Sequence, residues 1–353
     1  MRFIIWILLI FLVILRIIFS KSNYSNADKI RITTKVTSEP IRYETSQSFK
    51  LAGLNVNLAL YPEIHYGDRV IIEGTVDKKS LKEAKLVKLE ESSGVLYKLR
   101  RKLVSIYQTG LPEPHAALVS GIALGSKANL PADFWQALKS TGTAHGVVAS
   151  GMNVTLAANF LIGLLILFFP RGKAIPAAFL GIWFYAAISG FEAPVVRAAI
   201  MGSLAFSAQS LGRLNTAWRA LLLSILVMLI IKPDWISDLG FLLSVVATAS
   251  LLLFERKINA KIQFVPAIFR EGLSTSLAAQ IGVAPILYLT FGQYSLISPL
   301  VNAAVLWTVA PVMAIGGVAG ILGLISLSLA KILLLLTYPL TSWFIWIVEV
   351  FSK

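Results

Sequence analysis

Cysteine is missing from this chain altogether, which excludes a disulfide scaffold, thiol catalysis and cysteine-ligated metal. Histidine is nearly as scarce, and the three present, His65, His115 and His145, argue against a multi-histidine metal centre. Charge is short as well: 14% of the 353 residues are charged, where soluble domains carry about 25%. The shortage is uneven, with 18 basic and 10 acidic residues in 1–110 but only 14 and 8 in 111–353. That second part has 22 charges in 243 residues, too few to solvate a water-exposed surface. Acids are the rarer sign, 18 against 32 lysines and arginines, which leaves a net +14. Apolar residues fill the gap, at 56% of the chain with a mean hydropathy of +0.75, and predict an integral membrane protein.

The first apolar run, Phe3 to Phe19, is broken by Arg16 and at 17 residues barely spans a hydrocarbon core of roughly 30 Å. No obvious small-residue cleavage motif follows in Ser20-Lys21-Ser22-Asn23-Tyr24. Residues 1–28 are therefore expected to be an uncleaved anchor and linker, with a signal peptide as the alternative. Residues 29–92 alternate as strands do: Ile30, Ile32, Thr34 and Val36 share one face, and Leu54, Val56, Leu58 and Leu60 another, with Asn55 and Asn57 opposite and a turn at Gly53. Further strands at Arg69 to Val76 and near Ala84 to Leu89 bring the count to about five, which suits a small closed or nearly closed β-barrel of OB type. In residues 93–110, Leu96, Leu99, Leu103, Ile106 and Tyr107 fall at steps of three and four beside Lys98, Arg100, Arg101 and Lys102. This is the pattern of an amphipathic helix lying on anionic headgroups or, alternatively, of a basic helix packed on the barrel.

Residues 111–353 read as a multi-helix transmembrane domain, with hydrophobic segments near 144–169, 174–189, 194–210, 217–231, 238–254, 272–290, 298–324 and 330–350. Before them, Glu113 to Thr141 holds two pieces too short to span alone, either a re-entrant hairpin or two steep interfacial helices. If each run crosses once, one side receives Arg171, Lys173, Arg213, Arg219, Arg256, Lys257, Lys261, Arg270 and Lys331, and the other Lys232 and Lys353. Nine against two marks the first side as cytoplasmic. The Phe291 to Ser295 turn then faces outward, and so does the β domain if Arg2 stays inside and Glu113 to Thr141 does not change sides.

Polar residues inside apolar segments are costly and mark function. Arg197 sits in Pro194-Val195-Val196-Arg197-Ala198-Ala199-Ile200-Met201, either snorkelling to the interface or facing a polar interior. His145 and Ser150-Gly151 lie in a stretch of small and polar residues that ends at Asn153. A serine-hydrolase reading, Ser150 with His145 or His115, lacks the Gly-x-Ser-x-Gly pattern and puts His145 on another helical face. Asp238 to Ser244, Gln280 with Pro285, and Ser298 to Asn302 add polar positions on further helices. Gly316-x-x-x-Gly320 and Gly121-x-x-x-Gly125 read as helix-packing contacts. No catalytic residue, metal or cofactor is expected.

Taken in order, these segments resemble the competence domain of the ComEC family, inner-membrane channels that take up DNA in natural transformation. The resemblance rests on five motifs in the family's order: His145 to Ser150-Gly151, Arg197 to Met201, Asp238 to Ser244, Gln280 with Pro285, and Phe291-Gly292 leading to Ser298 and Asn302. It covers about residues 113–350, and the β domain and following helix are similar to the family's external OB domain and membrane-lying helix. Where the family often has a second histidine, this chain has Asn153, which puts a paired-histidine role in doubt. The family's C-terminal metallo-β-lactamase-like domain has no counterpart before Lys353, so a separate nuclease is expected.

The resemblance implies a multi-pass bacterial inner-membrane protein whose channel path is lined by His145, Ser150, Gly151, Asn153, Arg197, Asp238, Ser244, Gln280, Pro285 and Asn302. Single-stranded DNA needs cations along a path to offset phosphate desolvation, yet few enough to release it. Outside, Tyr43, Phe49, Tyr61 and Tyr66 would stack bases and Lys98, Arg100, Arg101 and Lys102 would gather phosphate, with Phe49 equally suited to the barrel core. The implied partners are single-stranded DNA, membrane lipids, DNA-delivery proteins and a nuclease; whether the chain works alone or as a homodimer stays open. A small-molecule or lipid transporter and an intramembrane enzyme are the rival readings.

Overall fold

The computed structural model describes residues 2–19, 28–37, 39–43, 45–77, 80–127, 130–148, 150–210, 216–291 and 295–352. The Ser20 to Tyr24 segment, the Arg213 loop and Gly292 in the Phe291 to Ser295 turn lie outside the described residues.

Helix α1 (Arg2–Phe19) is followed by β1 (Lys29–Lys35), β2 (Ile41–Arg42), β3 (Ser46–Leu51), β4 (Leu54–Ala59), β5 (Arg69–Asp77) and β6 (Ser80–Glu90). The strands form one mixed sheet in the order β1-β5-β6-β4-β3-β2, antiparallel except where β4 runs beside β6. Period-two burial drives it: Leu54, Val56 and Leu58 point inward while Asn55, Asn57 and Ala59 face water. The β3–β4 hairpin closes over Ala52 and Gly53, both at positive φ (48° and 86°), as a two-residue turn between right-twisted strands requires. The sixth strand is the two-residue β2, too short to leave an alternation in the sequence. No ladder joins β1 to β2 among the described residues, and the domain is a small mixed sheet. Its core, which includes Phe49, Leu51, Ile64, Val70, Ile72 and Val76, closes on itself. Phe49 belongs to this core and is only 5% exposed.

Buried polar groups fix the sheet's loops. Gln47 donates to the carbonyls of Ala59, Leu60 and Pro62 and accepts from the Ile64 amide at 3.0 Å. Asp68 accepts from the amides of His65 (2.8 Å) and Ser92 (2.9 Å). Burial alone would raise the Asp68 carboxyl, but these bonds and Arg101 outweigh it and hold it below its ordinary value.

The helices follow as α2 (Val95–Gly110), α3 (His115–Leu124), α4 (Ala132–Ser140), α5 (Ala144–Val147), α6 (Gly151–Phe168), α7 (Arg171–Ile188), α8 (Ala193–Ser210), α9 (Ala217–Ile231), α10 (Leu239–Ser250), α11 (Arg256–Lys261), α12 (Ala267–Phe291), α13 (Ser298–Gly323), α14 (Leu327–Leu335) and α15 (Tyr338–Ser352). A π turn over Leu251–Glu255 joins α10 to α11. Four stretches, Ala144–Leu167, Leu239–Lys261, Ala267–Thr290 and Ser298–Gly323, are long and apolar enough to cross a membrane, and α14 with α15, bent by 51°, makes a fifth if the pair is one span. Each of the eight sequence runs is helical, but several are too short to count as spans by length. The protein is a polytopic helical membrane protein with a small N-terminal mixed sheet.

The apolar stripe of α2 divides: Leu103, Ile106 and Tyr107 join the helical core beside α3, α13 and α14, while Leu96 near its start is exposed. The small residues of α13 make this approach possible. A Cβ on Gly320 would stand 2.7 Å from the Tyr107 hydroxyl, which donates to the Gly316 carbonyl at 3.0 Å. Gly316 also meets Val119 and Gly121 meets Val147, as the packing reading expects, whereas Gly125 ends α3 in the left-handed conformation (φ 69°).

Candidate functional site

Arg197 enters the bundle one turn inside α8 and is 7% exposed. Its Nη1 donates to the Ser244 carbonyl on α10 at 2.6 Å. Its Nη2 lies 2.9 Å from where a Cβ on Gly151, the first residue of α6, would stand. The guanidinium thus sits among the N-terminal halves of three helices, α6, α8 and α10, whose dipoles add positive potential. Its Nε is buried without a hydrogen-bond partner, and no carboxylate pairs with it among the described residues. Two acids near the ends of α8 and α10 are engaged elsewhere: Glu192 with Lys127 at 2.8 Å and Asp238 with Lys50 at 3.0 Å. Asp238 also caps α10 by accepting from the Phe241 amide at 3.1 Å. Burial opposes its ionisation, but Lys50 and the amides of Phe241 and Gly240 hold the carboxyl below its ordinary value.

Ser150 and Asn153 belong to the same corner. The Ser150 hydroxyl donates to Asn153 Oδ1 at 3.1 Å, and Asn153 Nδ2 donates to the Ile122 carbonyl at 3.0 Å, tying the start of α6 to α3. His145 Nδ1 instead meets the Gly142 carbonyl at 3.0 Å, and His115 Nδ1 meets Thr341 Oγ1 at 2.8 Å. No serine–histidine pair for nucleophilic chemistry forms among the described residues.

A second polar cluster surrounds Asn302, which is 1% exposed. Its Nδ2 donates to Ser276 Oγ (2.8 Å) on α12 and Ser298 Oγ (3.1 Å), while Oδ1 is buried without a partner. Gly142, at φ +71°, packs directly on the Ser298 hydroxyl where any side chain would collide, so His145 and Asn302 are linked through one tight backbone contact. Gln280 and Pro285 line a shallow groove with Leu277, Ile281, Ala284 and Tyr288.

The aromatic and basic residues of the sheet and α2 divide in two. Tyr43, Tyr61, Lys98 and Lys102 are exposed. Tyr66, Arg100 and Arg101 line a crevice of about 390 Å³ between the sheet and α2. Burial and the neighbouring Tyr97 push the Tyr66 phenol up to about 12. Arg100, expected as a phosphate contact, faces inward. It is 5% exposed, pairs with Glu39 at 2.9 Å, and donates to the carbonyls of Leu124 and Ile188. Arg101 is partly engaged by Glu91, Asp68 and the Ser92 carbonyl. Glu39, Lys50, Ser126 and Ser276 were not singled out by sequence, and no motif or periodicity marks them.

The family model described as "Competence protein" matches residues 122–353. ComE operon protein 3 of Bacillus subtilis (strain 168) is 30% identical over 236 residues, 65% of this chain and 29% of that protein. Uncharacterized protein YcaI of Escherichia coli (strain K12) is 26% identical over 226 residues, 58% of this chain and 29% of that protein. The matched part spans under a third of the length of these relatives. No solved structure matches.

Proposed function

The chain belongs to the competence protein family, and from that membership we propose that it conducts single-stranded DNA across the bacterial plasma membrane during natural transformation. In this reading the sheet faces outward, and exposed Tyr43, Tyr61, Lys98 and Lys102 present the strand. The path runs past Arg197 with Gly151, Ser150, Asn153, Asp238 and Ser244, and continues by His145, Asn302, Gln280 and Pro285. DNA-delivery proteins and a nuclease act with it.

The observation that carries the reading is Arg197: a buried guanidinium with no carboxylate partner among the described residues, set among helix N-terminal halves. Such a charge costs about 2.5–3.5 kcal/mol on membrane-insertion scales, and a passing phosphate offsets that cost with bidentate hydrogen bonds. Arg197→Ala should leave membrane abundance normal and abolish internalisation of labelled DNA. Normal uptake at normal abundance removes Arg197 from the path. A transporter of small anions would use the same cation, and it is separated by the same assay, since its loss leaves DNA internalisation intact.

A further inference from the structure

The sheet and the helices meet without a shared apolar core. The sheet's buried cluster draws on residues 30–89 alone, and the helical clusters include no strand residue. Its main ion pairs fall at two places of unequal character, and the Tyr66 ring, packed on Tyr97 (centroids 5.3 Å) and under Arg100, belongs to the first. At the first, Glu39 accepts from Arg100 Nη2 (2.9 Å), Ser126 Oγ (2.8 Å) and the Lys127 amide (2.9 Å), with the paired side chains 11% and 6% exposed. At the second, Lys50 Nζ on β3 meets Asp238 Oδ2 at 3.0 Å, with side chains 57% and 30% exposed.

Both places border the arginine site. Lys127 ties the first to Glu192, just before α8, and Asp238 is the cap of α10. Arg197 lies five residues beyond Glu192, about 8 Å along the helix, and bonds to α10. We propose that the sheet is a hinged cover over this end of the bundle, with the buried Glu39–Arg100 junction as its pivot and the half-exposed Lys50–Asp238 pair as its latch. A buried carboxylate with three donors is costly to separate, whereas an exposed pair contributes little and weakens with salt. An arriving polyanion competes with Asp238 for Lys50 and so releases the latch. The movement stands on the junction geometry; only what it admits rests on the reading of Arg197.

The test uses the full chain in lipid nanodiscs. Its lack of cysteine allows spin labels at Asn57→Cys in the sheet and Ile236→Cys beside the start of α10, both exposed. Pulsed electron paramagnetic resonance should give one short-distance population at low salt and a second, longer one that grows with added salt and in Lys50→Glu. Lys50→Arg should restore the parent distribution. Distances unmoved by salt and by Lys50→Glu overturn the latch. In cells, bridging the same two cysteines with a bismaleimide should stop DNA internalisation while surface binding persists. Undiminished internalisation by the bridged protein overturns a required opening, and the separate Arg197→Ala result then still decides the path reading.

Discussion

At Arg197 the close neighbour matters as much as the charge. Gly151 leaves room for the guanidinium, since a Cβ there would stand 2.9 Å from Nη2. Gly151→Ala should displace the head group and cut DNA internalisation about tenfold or more, the equivalent of one charge-assisted hydrogen bond at about 1.5–3 kcal/mol. Arg197→Lys keeps the charge without the planar fork and should retain part of the activity. Uptake by Gly151→Ala at the parent rate, with matched abundance on quantitative blots, would remove this contact from the mechanism. Asp68 in the sheet offers a second residue-level test, because its lowered carboxyl links stability to pH. Its contribution is complete above the unfolded value of about 3.9 and is lost as pH falls through the lower folded value. Purified protein should therefore lose thermal stability steeply below about pH 4. Asp68→Asn should start about 1–3 kcal/mol less stable at neutral pH and show a shallower acid limb. An unchanged acid limb in Asp68→Asn would assign the transition to other carboxylates.

Among the elements, periodicity located helices and strands well because burial is set by repeat, but it did not identify partners. In α2 the spacing of Leu96, Leu99, Leu103 and Ile106 finds the helix and its apolar side. It also contains an unused signal: Arg100 is three residues before Leu103 and seven before Tyr107, so it shares the buried face. What no local pattern could supply is Glu39, which comes 61 positions earlier to meet it. The same holds at Arg197. Its segment was legible as an anomalous charge in an apolar run, but no local pattern shows that the acids at the starts of α8 and α10 pair with Lys127 and Lys50 and that none pairs with Arg197 among the described residues. Lys98 and Lys102, four apart and exposed, are the charges of α2 left for a polyanion. Replacing both with glutamine should weaken single-stranded DNA binding by the full protein and reduce its salt slope by about 0.7 for each phosphate no longer neutralised. Arg100→Gln should instead lower thermal stability and leave the slope unchanged. A slope that drops with Arg100→Gln alone would return that residue to the DNA surface.

Across the whole molecule, structure and charge bias answer different halves of the topology question. The Lys50–Asp238 pair puts the start of α10 on the sheet's side of the bundle. The Leu239–Lys261 stretch is long enough to span, and a single crossing by it would bring Arg256, Lys257 and Lys261 out on the opposite side. These cations belong to the nine-residue basic set counted from the sequence, and lysine and arginine are retained in the cytoplasm. On that bias, with each run crossing once, the sheet is expected outside and α11 inside. Single cysteines at Asn57, Ile236 and Lys257 in the cysteine-free chain should separate cleanly under a membrane-impermeant thiol reagent. In intact cells the first two should be labelled and Lys257→Cys protected until the membrane is permeabilised. Labelling of Lys257→Cys from outside, with Asn57→Cys protected, would invert the protein. Because the sheet and Arg197 lie at the same end of the bundle, it would also place the arginine near the cytoplasmic exit of the path.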